Sequence, residues 1–208
     1  FSSVAILSSE TLHASCVAID GRAVLIEGRS GEGKSDLALR LIDAGIDRMR
    51  TSGLSGAGIN EVVKASGAPK GSVYHFFPGG KTQLVNESLA VYAERVEAFI
   101  GDAMGSARTP EGRVRDLFNA FARRLEEAGC LRSCAAGAVS LDLDEDAEAM
   151  RPSVEAAFAC WREAIARRLV GMDRRRARSL AGLLLTAIEG AYIRGRAERS
   201  AQAFIEAR

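Results

Sequence analysis

From Ser35 onward, alanine, leucine, glutamate and arginine recur at the three- and four-residue spacing of amphipathic helices. Short segments that contain glycine or proline interrupt this pattern. Glycine accepts the left-handed backbone that ends a helix, and proline lacks the amide hydrogen that continues one, so these segments mark connections. The pattern predicts a mainly helical chain with breaks at residues 53–58, 67–71, 78–80, 101–110 and 129–137.

Composition argues against a membrane-spanning chain and against a disulfide scaffold. No apolar run approaches the ~20 residues that cross a bilayer. The four cysteines, Cys16, Cys130, Cys134 and Cys160, indicate reduced core thiols, with redox sensing as the alternative. No cysteine set is completed by a nearby histidine, so we expect no metal and no cofactor. The first residues lack a secretory signal and the chain starts at Phe1, which suggests a trimmed, cytoplasmic protein.

Two short helices joined by a tight turn are predicted between residues 58 and 77. In the first, residues 58–65, the apolar side chains lie three and four residues apart. Gly67 permits a sharp turn, and Pro69 fits the first turn of the next helix, where its missing N–H costs nothing. The second helix, residues 70–76, buries Val73 and leaves polar residues outward. Such a pair forms a helix-turn-helix, which fits the major groove of DNA.

The charge around this motif supports DNA binding better than the charge of the whole chain, which is only +1. Between residues 45 and 81, five cations stand against the two carboxylates of Asp47 and Glu61, an excess of three. The five cations are Arg48, Arg50, Lys64, Lys70 and Lys81.

The segment GINEVVKASGAPKGSVYHFFPGGKTQL resembles the DNA-binding motif of the tetracycline-repressor (TetR) family. The resemblance implies a supporting helix at residues 58–66, a recognition helix at 69–76 and a further helix from Lys81. It implies that Tyr74 and Lys81 hold backbone phosphates of operator DNA. The other side chains near bases or phosphates would be Lys70, Gly71, Ser72 and His75. An alternative for Tyr74 and His75 is a surface aromatic pair with no ligand.

The rest of the chain predicts a helical body for dimerisation. In the helix at residues 174–196 an apolar stripe is expected to pack, with residues 154–169, against a second copy, since a two-fold dimer matches a palindromic operator. The acidic run 142–146 is expected to be a solvated helix start. The other helices are predicted at residues 82–104, 111–128, 144–150 and 152–170 and from 199 onward. The stripe consists of Ala177, Leu180, Ala181, Leu184, Ala187, Ile188 and Ala191.

Several aromatic residues of this body are candidates for a ligand cavity, although aromatics at helical spacing also form ordinary core. They are Phe118, Phe121, Phe158 and Trp161, with Leu141 beside them. Within the TetR family, the Gly129-Cys130-Leu131 segment and the Trp161 helix look most similar to the multidrug- and flavonoid-responsive branch. The chain has two histidines, His13 and His75, so acid–base catalysis is poorly supported. We therefore expect that the protein is not an enzyme.

The amino-terminal segment follows a different pattern from the rest. Residues 13–19 and 22–27 are rich in β-branched and apolar residues, and Asp20-Gly21 between them predicts a β-hairpin. Residues 28–35 (GRSGEGKS) match a phosphate-binding loop, in which backbone amides cradle phosphates, a lysine reaches them and a serine binds Mg²⁺. The residues of that loop are Gly28, Gly31, Gly33, Lys34 and Ser35.

Residues 12–45 resemble the start of the HPr kinase/phosphorylase catalytic domain. The acidic strand and the catalytic carboxylate that follow in that family are absent here, and the helix from Asp36 to Arg50 must also serve as the first helix of the TetR-like motif. We therefore interpret the loop as a remnant at a join of two unrelated segments. Nucleotide binding by a P-loop protein remains the alternative function.

The sequence thus predicts a TetR-like, mainly α repressor preceded by a short β-hairpin. Three parts are expected: residues 1–34 (hairpin and phosphate loop), 35–85 (DNA binding) and 86–208 (effector binding and dimerisation). A small apolar or aromatic effector would enter the body, shift the helix that begins near Thr82 and release the homodimer from operator DNA.

Overall fold

The computed structural model describes the backbone of residues 14–19, 22–27 and 34–208, and the side chains from residue 36 onward. Most of these residues are helical, as the sequence predicts. No helix among them is long and apolar enough to cross a bilayer. The α-helices are α1 (Lys34–Gly56), α2 (Ile59–Ser66), α3 (Lys70–Phe76), α4 (Gly80–Ala103), α5 (Pro110–Glu127), α6 (Ala135–Leu141), α7 (Arg151–Arg168), α8 (Arg174–Glu198) and α9 (Gln202–Glu206).

Two strands precede the helices. β1 (Ala14–Ile19) pairs antiparallel with β2 (Arg22–Glu27), with Ala14 opposite Glu27. The predicted turn at residues 20–21 lies outside the described residues. No further strand joins this pair in the part of the chain that the structure describes, whereas a P-loop helix packs on a parallel sheet. The architecture therefore gives the P-loop alternative no support.

Helix α1 is kinked near its end, where the chain turns toward the helix-turn-helix. Gly53 has a φ of 67°, a left-handed conformation that glycine adopts without steric cost. The next amide, that of Leu54, donates a 2.7 Å hydrogen bond to the Asp142 carboxylate. The kink is thus held from outside the helix, by a residue that follows α6.

The core runs without interruption from the helix-turn-helix into the body. Helix α4 packs on both α1 and α7, and α7 packs on α8. Trp161 is buried, and its indole N–H donates to the Ala93 carbonyl over 3.0 Å. A second aromatic cluster fills the space between α4, α5, α8 and α9, and consists of Phe99, Phe118, Phe121, Tyr192 and Phe204.

The structure corrects the sequence analysis around residues 129–150. A helix, α6, forms where only a break was predicted. Cys134 is its N-cap, and the Cys134 sulfur accepts the Gly137 amide at 3.4 Å. The helix predicted at residues 144–150 is instead a turn followed by a 3₁₀ helix, Glu148–Met150. Asp144 accepts the Ala147 amide at 3.0 Å, and such a local bond competes with a regular helix.

Candidate functional site

The helix-turn-helix is built from α2 and α3, as predicted. Gly67 ends α2 with a φ of 66°, and Pro69 precedes α3 as its N-cap. Val73 and Phe77 are fully buried and fix α3 against the helices behind it. Since one face of α3 is anchored in this way, its opposite face is held toward solvent in a fixed orientation.

The exposed face of α3 carries most of the side chains that were predicted to touch DNA. Lys70, Gly71 and His75 are exposed, and Tyr74 has 57% of its surface accessible. The Ser72 hydroxyl is half-buried and donates to the Pro69 carbonyl within the same turn. Lys70, Gly71, Tyr74 and His75 are therefore accessible to a ligand. The Ser72 hydroxyl already has a hydrogen-bond partner in the protein.

Lys81 is the second residue of α4, and its side chain is half-buried. The Gly79 amide there donates to the Gln83 side chain over 2.7 Å, and Gln83 in turn donates to Glu87 over 2.8 Å. Burial raises the pKa of Glu87, and the bond from Gln83 opposes that rise. This chain of hydrogen bonds fixes the first turn of α4, which carries Lys81.

Two of the five cations counted in the sequence do not belong to this surface. Arg50 donates to the Ser133 carbonyl over 3.0 Å, and its guanidinium lies 5.8 Å from the centre of the Tyr92 ring. Arg48 donates to the Gly56 carbonyl over 3.2 Å. Arg48 also lies 3.8 Å from the Glu61 carboxylate of α2, so both arginines hold α1 to its neighbours. The positive charge around the helix-turn-helix therefore comes from the three lysines, Lys64, Lys70 and Lys81. None of the three forms an ion pair with a described residue.

A cavity of about 700 Å³ lies between the end of α1 and helices α6, α7 and α8. Its walls combine aromatic rings, hydroxyl groups and charged side chains. No residue of α4 lines it. The lining residues that bear on function are Gly53, Leu141, Asp142, Phe158, Glu189 and Tyr192, with Arg196 also in the wall.

Of the four aromatic residues predicted to line a ligand cavity, only Phe158 lines this one. Phe121 and Trp161 border a space of about 10 Å³, which is too small for a ligand. Phe118 is fully buried and lies 6.4 Å from the Phe204 ring. Three of the four residues thus serve the core, because helical spacing shows that a residue is inward and does not show what it meets there.

The cavity contains titratable groups that the sequence analysis missed. Glu189 follows no motif, and burial raises its pKa to about 7, although a hydrogen bond from the Cys134 thiol opposes the shift. Burial also raises the pKa of Cys134 well above its usual value, so this thiol stays protonated at neutral pH. Burial likewise raises the pKa of Tyr192. The only sequence signal for Glu189 was a carboxylate beside the apolar stripe of α8.

Most of the apolar stripe predicted for the dimer interface lies inside the protomer. Five of its seven residues are buried in the core of the single chain, and Leu180 and Ala187 are half-buried against it. The five are Ala177, Ala181, Leu184, Ile188 and Ala191. A different face of α8 is open to solvent. It exposes Leu183 (65%), Gly190 and Ile193 (61%).

The phosphate-loop prediction falls largely outside the described residues. Gly28, Gly31 and Gly33 are not described, and Lys34 and Ser35 are described only as the backbone that opens α1. No group of three or more His, Cys, Asp or Glu side chains suited to a metal occurs within the described part of the chain.

The chain is similar to bacterial transcriptional regulators over most of its length. Residues 41–88 match the family model for bacterial regulatory proteins of the tetR family, and residues 110–208 match that for the C-terminal domain of LmrA/YxaF-like transcriptional regulators. Neither reaches residues 28–35, so the resemblance to HPr kinase/phosphorylase is not supported.

Individual proteins that are similar in sequence are also transcriptional regulators of the helix-turn-helix type. An uncharacterised HTH-type transcriptional regulator of Mycobacterium tuberculosis is 33% identical over 158 residues, which cover 73% of this chain and 79% of that protein. The HTH-type transcriptional regulator LmrA of Bacillus subtilis is 28% identical over 163 residues, which cover 74% of this chain and 83% of LmrA.

Solved structures share the fold. The regulatory protein TetR from Rhodobacter sphaeroides superimposes with a TM-score of 0.71 at 22% identity, over 81% of this chain and 93% of that one. A cysteine mutant of the TetR family regulator CifR, complexed with 26 bp double-strand operator DNA, gives a TM-score of 0.69 at 18% identity, over 80% and 90%.

Proposed function

The chain belongs to the TetR family of bacterial regulatory proteins, and from this premise we propose that it is a homodimeric repressor that leaves its operator DNA when a small apolar or aromatic molecule binds. Members of this family are DNA-binding regulators and not enzymes. One observation carries the proposal: α3 exposes Lys70, Tyr74 and His75 to solvent while Val73 and Phe77 anchor it in the core.

Operator binding would combine phosphate contacts with contacts to base edges. Lys81 stands in the first turn of α4, where the helix dipole also favours an anion, and Tyr74 is accessible on α3. These two side chains are assigned to backbone phosphates. Lys70, Gly71 and His75 line the part of α3 that would enter the groove, with Ser72 beside them.

We assign the dimer interface to the exposed face of α8. Leu183, Gly190 and Ile193 recur at helical spacing there, and burying such a face against a symmetry mate removes apolar surface from water. Ile193 also lines the cavity, so a partner subunit on this face would stand next to the cavity mouth. A Leu183→Asp chain should sediment as a monomer and lose operator affinity, while Leu131→Asp, also at an exposed leucine, should stay dimeric. A Leu183→Asp dimer would contradict the assignment.

The effector is assigned to the 700 Å³ cavity, which has the size of known small-molecule sites. Its wall includes the kink of α1, where Asp142 holds the Leu54 amide, and includes no residue of α4. We therefore place the first effect of the ligand at the kink of α1, six residues before α2 begins, instead of at the helix near Thr82. The effector shifts the equilibrium by binding one arrangement of α1 more tightly than the other.

The division into parts follows from these assignments. Residues 35–85 bind DNA, and residues 86–208 bind the partner subunit and, together with the end of α1, the effector; α4 runs through both parts. Residues 1–34 have no role in the proposal.

The test is a titration of fluorescent DNA from upstream of the gene, at about 50 and about 200 mM salt, with a parallel titration of Mg-ATP. The proposal predicts tight binding that weakens by orders of magnitude at the higher salt, because bound lysines release counterions. ATP binding without DNA binding would contradict it.

A further inference from the structure

The carboxylate of Glu189, on α8, belongs to the wall of the 700 Å³ cavity. Burial raises the pKa of this group to about 7, and no described Lys or Arg forms a salt bridge with it. Its hydrogen-bonding neighbour is the Cys134 thiol, which is neutral. A buried carboxylate without a counter-ion is unfavourable. A ligand cation that reaches this carboxylate would therefore be bound favourably.

The Glu189 side chain occupies the space that Gly137 of α6 leaves by having no side chain. At Gly137 a Cβ atom would overlap Glu189 Oε2, so only glycine leaves room for the carboxylate in its observed position. The same carboxylate lines the 700 Å³ cavity together with Gly137. The backbone of α6 and the side chain of α8 therefore form a built pocket for this group at the cavity wall.

The other charged groups in the cavity wall do not pair with Glu189. Arg196 keeps its positive charge, because its partners are neutral: it donates to the Thr51 carbonyl and the Ser133 hydroxyl, over 3.2 and 3.4 Å, and not to Glu189. Asp142 adds a second carboxylate to the wall. Arg50 and Arg124 act on the hydroxyls of Tyr92 and Tyr192, whose pKa values burial raises, so both tyrosines are neutral.

Aromatic rings line the same space. Phe158 and Tyr192 both belong to the cavity wall, and ring faces attract organic cations through their quadrupoles. An unpaired carboxylate together with aromatic rings is the combination that recognises ammonium groups carried on an apolar body.

We propose that the cavity binds a protonated amine on an aromatic body, with Glu189 as the counter-ion of the ammonium group and Phe158 and Tyr192 around the rings. This rests on the proposed function, because it names the chemical class of the effector. It also assigns Gly137 a role, which is to leave the space in which the carboxylate sits.

A matched pair of probes tests the charge. 1-Naphthylmethylamine and 1-naphthylmethanol share one ring system and differ in the ammonium and hydroxyl groups. At pH 8 the amine keeps its proton and Glu189 is ionised. Titrations by calorimetry should show the amine binding the dimer roughly tenfold more tightly than the alcohol. Equal binding, or tighter binding of the alcohol, would overturn the proposal.

Three variants locate the effect. Glu189→Gln should abolish the preference for the amine and leave the affinity for the alcohol unchanged, and Gly137→Ala should reduce the preference by displacing the carboxylate. Glu145→Gln removes an equal charge from an exposed residue that does not line the cavity, and should behave as wild type. A preference that survives in Glu189→Gln would overturn the proposal, and thermal unfolding of each variant checks that the fold is kept.

DNA binding by the same samples separates this inference from the proposed function. Protein that binds upstream DNA but shows no preference for the amine contradicts the cation site alone. Protein that prefers the amine but does not bind DNA supports the site and contradicts the proposed repressor.

Discussion

The helix-turn-helix end of the chain, residues 34–81, and the helical body behind it acquire their candidate functional residues in different ways. In the first, Lys70, Tyr74 and Lys81 lie within twelve consecutive positions; Lys70 and Tyr74 are exposed on α3, and Lys81 is half-buried at the start of α4. The cavity instead gathers Phe158 and Glu189 of the body and Gly53 of α1 from helices far apart in sequence. A contiguous motif specifies an outward surface, whereas a cavity depends on how helices pack, and this contrast yields predictions that can be measured.

The largest expected effect separates core from cavity within the body. Trp161→Ala should lower the free energy of unfolding by about 4 kcal/mol, because it empties a fully buried site and removes the bond to the Ala93 carbonyl. Phe158→Ala, at the half-buried ring that lines the cavity, should cost about half as much. Urea unfolding followed by circular dichroism, at one protomer concentration, measures both. Equal losses would show that the two aromatic residues share one environment.

The next effect concerns the buried carboxylate. Because the pKa of Glu189 rises from 4.5 to about 7 on folding, its contribution to stability is full below the lower value and is lost as pH rises through the higher one. The loss amounts to about 3 kcal/mol. Glu189→Gln should therefore gain in melting temperature over wild type from pH 5 to pH 8. A difference that stays constant with pH would place Glu189 in contact with water.

A smaller effect tests the link between the body and the helix-turn-helix. Asp142→Ala and Asp144→Ala each remove one carboxylate bond to a backbone amide, of 2.7 and 3.0 Å, and each should cost about 1 kcal/mol of stability. Only Asp142 holds the kink of α1. Operator affinity should therefore change in Asp142→Ala and not in Asp144→Ala, as measured by fluorescence anisotropy. Equal affinities in the two variants would remove α1 from the route of the effector.

The sequence predicted the helix-turn-helix because its signals are local. Gly67 and Pro69 mark the turn, and the spacing of the apolar residues marks the buried faces. The family resemblance came from the same residues and is confirmed by the matched family models. The DNA contacts themselves remain predictions.

The sequence failed where partners are distant. The charge of Arg50 was counted toward DNA, but its side chain binds Ser133, 83 positions away. The stripe on α8 was assigned to a second copy because periodicity reveals an apolar face without revealing what covers it. Asp142 was expected to be a solvated helix start and instead holds the Leu54 amide. These errors share one physical cause: the group that each side chain contacts lies far away along the chain, so a local sequence pattern does not reveal it.

The central claim is that α3 and the start of α4 bind operator phosphates, and the salt dependence of Lys81→Ala tests it most directly. Anisotropy titrations with upstream DNA at several salt concentrations should show weaker binding to every DNA sequence and a shallower salt slope, by about one for each protomer. Arg123→Ala removes a charge from an exposed residue of α5 and should leave both quantities unchanged. An unchanged affinity and slope in Lys81→Ala would contradict the account.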